Sequence, residues 1–447
     1  MIWVYRFLFL PLLLIATPYY LWRMRRRGGY LEKFSHRFGG TDQLPVKKIG
    51  VRRIWLQAVS VGEMLALAPL LESLQQEGRT EVYLTTTTST GYKLAQEKYA
   101  ALTIGIGYFP LDFWAFNTRA WRRIQPDLCI LMEGERWPEH VHQAAARGVA
   151  VLSINARLSD RSFRRALRFR AFFQPLSRGL TQVLCASRRD EQRFKALGFP
   201  PERLLTTGNL KLDVDIPLMG GSAQAALRRQ LGLGTGLVLL GSSTWPGEEA
   251  ALLTALRSAR ERGLHVSLLL VPRHAERRAE LRSWLESSGL TFHFRSTGSY
   301  RDRVLAAGRE SASVDVVVGD TTGELRQFTQ LADLVFVGKS LAPHEGGQTP
   351  VEAAVLGKPI LHGPNMSNFR EIIRTLTEAG AVRKVAASAE LITAAVTLLQ
   401  DAPQREKLAA AARAWHAENC GATERTLLVI RAQLAGLKFR AWPTRDH

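Results

Sequence analysis

The stretch Arg53-Ile54-Trp55-Leu56-Gln57-Ala58-Val59-Ser60-Val61-Gly62-Glu63-Met64-Leu65-Ala66-Leu67-Ala68-Pro69-Leu70-Leu71 decides the fold. Residues 53–58 are an apolar run short enough for a buried strand. Ser60-Val61-Gly62-Glu63 makes a turn, and Leu65, Leu67, Leu70 and Leu71 then recur at helical spacing. Strand, loop and helix in that order are the repeating unit of an α/β domain with a parallel sheet. The pattern recurs outward along the chain, with further strands at 82–85, 128–132, 149–154 and 183–186. Residues 213–224, with Asp213, Pro217, Gly220, Gly221 and Ser222, read as a linker. A second series follows, with strands near 237–241, 266–271, 314–319, 334–338 and 359–363. The expected fold class is therefore α/β, two facing Rossmann-like domains with an interdomain cleft. The expected division is an anchor over 1–27, a first domain over 28–214 and a second over 215–400. Ala-rich helices over 401–447 would pack back towards the first domain.

The length of 447 residues is too great for one ordinary core, and 46% hydrophobic residues with 22% charged excludes general disorder. Sixty Lys and Arg against 40 Asp and Glu give a net charge of +20, which suits an anionic partner. Nucleic acid, lipid headgroups and phosphorylated substrates all meet that description. A nucleic-acid binder would mix basic residues with stacking aromatics on a small recognition fold. Here much of the basic excess lies beside the N-terminal apolar segment and over 157–178. Cys129, Cys185 and Cys420 form no pairing pattern, which fits a reducing compartment. His140 and His142 are a bare HxH, so no metal site is expected.

Ile2 to Trp22 is almost wholly apolar and about long enough to cross a bilayer, with Arg23, Arg25, Arg26 and Arg27 directly after it. Basic flanks stay cytoplasmic, so the expectation is a single uncleaved anchor in the inner membrane with a cytoplasmic catalytic body. A cleaved signal peptide is the less favoured reading, since the n-region is nearly uncharged and no small-residue cleavage site follows the apolar stretch. A third reading is a helix lying in the interface, with Trp3, Tyr5, Tyr19, Tyr20 and Trp22 at headgroup level.

In open α/β sheets, ligands bind where loops leave the carboxyl ends of strands. Ser242 and Ser243, Arg273 and His274, Asp320 and Thr321, and Gly338 and Lys339 all follow strands of the second half. Such loops offer amides and hydroxyls to phosphate, although each is also an ordinary turn with a helix cap. Gly346-Gly347-Gln348-Thr349-Pro350-Val351-Glu352 lets backbone approach a ligand and starts a helix near Thr349. Glu352 in its first turn suits ribose hydroxyls, or complements the helix dipole. In the first half Glu63 stands at a strand-to-helix turn as a candidate general base or a helix cap. Glu133 and Glu135 follow the strand at 128–132, where charged residues line a site or pair with Arg. Arg157, Arg161, Arg164, Arg165 and Arg168 recur at helical steps beside Phe163, Leu167, Phe169, Phe172 and Phe173. That face suits lipid phosphates or a phosphorylated glycolipid, or is a solvated surface.

Taken in order, these segments resemble the Kdo transferases, which use CMP-Kdo and a lipid A precursor on a GT-B fold. Ile54 to Glu63 is similar to the family's W-x-H-A-x-S-x-G-E, and Thr85 to Gly91 to its Thr-rich loop. Met132 to Pro138 is similar to E-x-E-x-W-P, and Asn155 to Ser159 to N-A-R-x-S. Gly208-Asn209-Leu210-Lys211 matches G-N-L-K, Val271 to His274 matches V-P-R-H, and Asp320 to Leu325 resembles D-T-x-G-E-L. The resemblance implies Glu63 as the base that activates the acceptor hydroxyl, with Glu133 near the reaction centre. It implies Arg273 on the CMP phosphate, Glu352 on the ribose, and Lys211, Ser242 and Ser243 near the phosphate. The partners implied are a nucleotide-sugar donor, a phosphorylated glycolipid and the membrane, with no cofactor and no metal. Two departures stand out. Gln348 and Thr349 replace the His-Asn of the family's G-G-H-N-x-x-E-P, and Gln57 replaces a frequent His. Another enzyme on the same scaffold, a UDP-sugar transferase or an epimerase, is the alternative.

Overall fold

The computed structural model describes residues 2–27, 32–170, 179–306, 313–437 and 439. Seven strands come from the first half: β1 (Arg52–Gln57), β2 (Thr80–Thr86), β3 (Gly105–Tyr108), β4 (Leu128–Met132), β5 (Ala150–Ala156), β6 (Gln182–Cys185) and β7 (Leu204–Thr206). They form one parallel sheet in the order β3-β2-β1-β4-β5-β6-β7. Successive strand residues face opposite ways, so the sheet carries two cores. Ile54, Leu56, Val82, Leu84, Ile130 and Met132 join one, while Trp55, Tyr83, Cys129, Leu131 and Val151 join the other. A sheet covered on both faces explains why β4 is buried at every position.

The first core is roofed by α2 (Val61–Ala66), α3 (Ala68–Gln76), α4 (Ser89–Tyr99) and the last helix, Ala422–Leu434. Sequence spacing gives one helix through Leu65 to Leu71, whereas the structure has two. Pro69 is the cause, because proline lacks an amide hydrogen and is tolerated only in a first helical turn. The last helix is tied down by Asp213, which accepts from Gly421 N at 2.7 Å, and by Arg431 on Glu77 at 2.7 Å. The opposite face carries α5 (Trp114–Ile124) and α6 (Pro138–Ala146), with α7 (Asp160–Arg168) following β5. N-terminal to all of these, α1 (Ile2–Arg27) is long and apolar enough to cross a membrane by length and composition.

The second sheet contains β8 (Leu237–Thr244), β9 (Val266–Pro272), β10 (Phe292–Phe294), β11 (Val316–Val318), β12 (Leu334–Val337), β13 (Ile360–His362) and β14 (Val382–Lys384). It too is parallel, in the order β10-β11-β9-β8-β12-β13-β14. Helices Glu248–Glu261 and Ser388–Gln400 supply Leu252, Leu256, Leu391, Leu398 and Leu399 to its core. The chain thus divides into two compact units, residues 1–213 with 419–447, and residues 214–418. In each, strand order reverses beside the first strand, between β1 and β4 in one sheet and between β8 and β12 in the other. Connections leave in opposite directions there and open a crevice at the carboxyl ends of the strands.

Candidate active site

At the reversal point of the first sheet, Glu63 follows β1 and Glu133 follows β4. Ser60 caps α2: its hydroxyl oxygen accepts from Glu63 N at 3.2 Å, and it donates to Glu63 Oε1 at 2.8 Å. Val59 N donates to Glu63 Oε2 at 2.8 Å. This reciprocal cap fixes the carboxylate of a side chain that is only 7% exposed. Both alternatives raised for Glu63 are therefore compatible, because each oxygen uses one lone pair on the cap and keeps another. Burial raises its pKa, backbone donation from Val59 opposes that, and nearby Glu133 pushes it further up. The Val59 carbonyl accepts from Thr86 and Thr88, which joins the Thr-rich loop to the same turn.

Glu133 is the centre of a second constellation. Lys211 Nζ lies 2.6 Å from its Oε1, Asn155 Nδ2 donates to that oxygen at 3.3 Å, and Arg157 Nη1 is 4.0 Å away. Asn155 also accepts from Leu210 N at 3.1 Å, so it fastens the Gly-Asn-Leu-Lys turn beside the acidic loop. Lys211 was expected among the nucleotide loops. The structure places it in the first unit, ion-paired with Glu133. Glu135, read from the sequence as lining a site or pairing with Arg, lies beside Glu133. Trp137 Nε1 donates to it at 2.6 Å, and burial pushes its pKa up to about 7.

The basic face divides. Arg157 precedes the helix and turns to Glu133, while Arg161, Arg164, Arg165 and Arg168 are exposed on α7. Leu167 and Phe169 are exposed beside them, and Phe172 and Phe173 lie outside the described residues.

In the second unit, the loops after β8 and β12 meet at the other reversal point. Gly338 N donates to Ser242 O at 2.9 Å, and a Cβ on Gly338 would stand 2.4 Å from Ser243 O. Ser242, Ser243 and Gly338 are thus brought together. Arg273 follows β9, its N donating to Thr244 O at 3.1 Å. Its guanidinium is exposed and has no partner among the described residues. The segment 346–349 folds back onto the same loop, with Gly347 N on Lys339 O at 3.0 Å and Gln348 N on Gly338 O at 3.1 Å. Gly346 and Gly347 have φ of 104° and 71°, and side chains there would also collide with Asn368 and Met366. Thr349 Oγ1 accepts from Val351 N at 3.2 Å, and Glu352 stands in the first turn of the helix Val351–Val355. Glu352 Oε2 is buried and without a hydrogen-bond partner among the described residues. A buried carboxylate oxygen left open at a loop cluster is an acceptor for a ligand hydroxyl. By contrast Asp320 and Glu324 of the D-T-x-G-E-L segment are engaged internally, with Arg278 and Ser296 and with Arg295 and Thr321.

Sequence reasoning missed Glu248. It is buried and accepts from Lys339 N at 2.8 Å, Ser340 N at 2.9 Å, Trp245 N at 3.0 Å and Leu341 N at 3.2 Å. Burial raises its pKa, with the amides pulling the other way. One side chain therefore sets the mutual placement of the two loops. No capping signature marked it, since Gly247 is the N-cap and Glu248 is the first residue of its helix. Among the described residues, four of the six non-glycine residues with positive φ, namely Glu133, Asn155, Ser243 and Lys339, lie in these reversal-point loops. Such conformations cost about 1–3 kcal/mol each and persist where surroundings impose them. His140 is no metal ligand candidate: its ring is buried against Trp55, Phe109 and Trp121, and burial lowers its pKa to about 3. Among the described residues no group of three or more His, Cys, Asp or Glu side chains is placed to hold a metal.

Two parallel α/β units with such loops at both reversal points define the GT-B class. A UDP-GlcNAc 2-epimerase from Neisseria meningitidis bound to UDP-GlcNAc aligns with a TM-score of 0.55 at 13% identity, covering 86% of this chain and all of its own. That likeness bears on the fold alone. The family profile described as 3-deoxy-D-manno-octulosonic-acid transferase (kdotransferase) matches residues 32–214. The 3-deoxy-D-manno-octulosonic acid transferase of Bordetella pertussis is 34% identical over 92% of this chain and 95% of its own. That of Haemophilus influenzae is 31% identical over 96% and 99%. The chain belongs to the 3-deoxy-D-manno-octulosonic acid transferase family.

Proposed function

We propose that the protein transfers 3-deoxy-D-manno-octulosonate from CMP-Kdo to a hydroxyl of the lipid A precursor lipid IVA, in lipopolysaccharide core biosynthesis. The observation that carries this reading is the carboxylate pair at the first reversal point. Glu63 is buried, fixed and raised in pKa, while Glu133 is neutralised by Lys211 and Arg157. A base of raised pKa accepts a proton more readily than an ordinary carboxylate does, and its fixed geometry avoids reorganisation. In this reading Glu63 removes the acceptor hydroxyl proton, the freed oxygen attacks the anomeric carbon, and the bond to the CMP phosphate breaks. Arg273 offsets the charge on departing CMP. The Ser242-Ser243 turn and Gly338 present backbone and hydroxyl groups to the phosphate, and Thr349 and Glu352 face the ribose. No metal is required in this scheme. Arg161, Arg164 and Arg165 meet acceptor or lipid phosphates, and α1 holds the catalytic body at the cytoplasmic face of the inner membrane.

The test is transfer from CMP-Kdo to tetraacyl lipid A precursor by detergent-solubilised protein in the presence of EDTA. Formation of the Kdo-lipid product is expected. No product while CMP still binds would overturn the donor or acceptor assignment, and turnover of UDP-GlcNAc instead would favour an epimerase. A protein that binds neither CMP nor CMP-Kdo refutes the whole reading.

A further inference from the structure

Helix α1 has a half-buried stripe made of Ile2, Tyr5, Arg6, Phe9, Leu13, Ala16 and Thr17, at steps of three and four residues. Its beginning is bonded to the catalytic body. Arg6 makes a two-pronged ion pair with Glu139, Nε to Oε2 and Nη2 to Oε1, both at 2.8 Å. Tyr5 donates to Asp112 Oδ2 at 2.8 Å, and the Phe9 and Phe113 rings stack with centroids 6.3 Å apart. These partners belong to the body's interior: Glu139 is fully buried at the start of α6, and Asp112 caps that helix through Glu139 N and His140 N.

A crossing helix is incompatible with those contacts. Twenty residues separate Arg6 from Arg26, which is about 30 Å of helix, the thickness of a bilayer's hydrocarbon core. The body resumes at Glu32, only five residues beyond Arg27. If α1 crossed, Arg6 would lie at the far headgroups while Glu139 and Asp112 stayed with the body on the near side. The remaining surface of α1 is nevertheless strongly apolar and open, with Phe7 80% and Ile15 77% exposed and Trp3, Leu12 and Leu14 also exposed. Arg25 and Arg26 end it, and the exposed arginines of α7 belong to the same unit. Apolar surface of that extent, bounded by cations, fits a leaflet with anionic headgroups.

We propose that α1 is a monotopic helix, latched to the catalytic unit through Tyr5, Arg6 and Phe9, that enters one leaflet sideways and leaves both ends on the cytoplasmic face. This rests on the membrane reading above and decides its geometry. Pro11 and Pro18, unusual inside a helix, fall on the exposed side, where a missing amide hydrogen bond does not disturb the latch.

The full chain carrying a cysteine-bearing tag ahead of Met1, in a C420S background, is treated with a membrane-impermeant maleimide in intact spheroplasts and again after lysis. Labelling only after lysis is expected, and labelling in intact spheroplasts overturns the proposal. In the same membranes a short bismaleimide should link F9C to F113C, and a protected tag without that link also overturns the latch. Salt-resistant sedimentation with vesicles containing anionic lipid is the separate control. Protein that stays soluble there refutes the membrane reading itself rather than its geometry.

Discussion

Replacing Glu63 with Gln separates the cap seen in the structure from the general-base role proposed for this side chain. The carboxylate accepts from Val59 N and Ser60 Oγ, and Ser60 in turn caps Glu63 N. Glutamine keeps one acceptor and turns an amide NH2 towards the other donor, so one hydrogen bond is lost, about 1 kcal/mol. Removing the ionisable group also removes the cost of holding it charged in a buried site. Because the folded pKa lies above the ordinary 4.5, that cost grows as pH rises through the folded value. The two effects oppose each other, and E63Q should unfold within about 1 kcal/mol of the native protein at neutral pH. Rate behaves differently. Loss of a general base lowers kcat by roughly a hundredfold to ten-thousandfold. The control is S60A, which loses the cap, about 1 kcal/mol, yet keeps the carboxylate, so turnover should fall by less than about tenfold. Steady-state transfer kinetics beside denaturant unfolding measure both. The native kcat/KM should also fall as pH drops through the raised Glu63 pKa, an acid limb above that of an ordinary glutamate. If E63Q keeps turnover within a few-fold of native, or S60A is as inactive as E63Q, Glu63 is a cap and the base lies elsewhere.

The Arg6 latch yields an energetic test. R6A leaves Glu139 buried and unpaired, which costs about 3–5 kcal/mol in detergent unfolding, whereas R6M with E139L should recover most of it; equal stability of R6A and native would mean that α1 does not dock on α6. Glu248 yields another: E248Q replaces a carboxylate that receives four amides with a group that itself donates. Hydrogen bonds to charged groups are worth about 1.5–3 kcal/mol, so CMP affinity by calorimetry should weaken by about tenfold to a hundredfold, and an unchanged Kd would refute its control of the loops.

The parallel sheets were legible because each buried strand is a short apolar run and each following helix carries its own period. Short, polar features were less so. The helix break at Leu67 depended on Pro69, a local effect that an apolar stripe conceals. Asp213 reads as linker from its neighbours, yet it closes the last helix through contacts more than 200 positions away. Lys211 shows the same limit. Its motif placed it in a site, but its partner depends on strands β4 and β5 bringing Glu133 and Asn155 to one sheet end. Asp112 and Glu139 carried no signal at all, since their meaning lies in Tyr5 and Arg6.

Glu63, Glu133, Glu248 and Glu352, four of the glutamates at the reversal points, are chemically identical and are separated by which lone pairs the fold leaves free. Glu248 receives four backbone amides, so its charge is spent on holding loops. Glu133 faces Lys211 and Arg157, whose cations occupy its carboxylate. Glu63 is half satisfied, one bond per oxygen, which fixes its orientation and still leaves a site for a proton. Glu352 keeps a buried oxygen with no donor among the described residues, a cost that only a ligand hydroxyl or water can relieve. In the proposed scheme, substituting Asp for each would therefore fail for different reasons: loop geometry, electrostatics, proton transfer and nucleotide affinity. Charge alone does not distinguish these roles, and acidic residues in such a site are best sorted by the donors they already have.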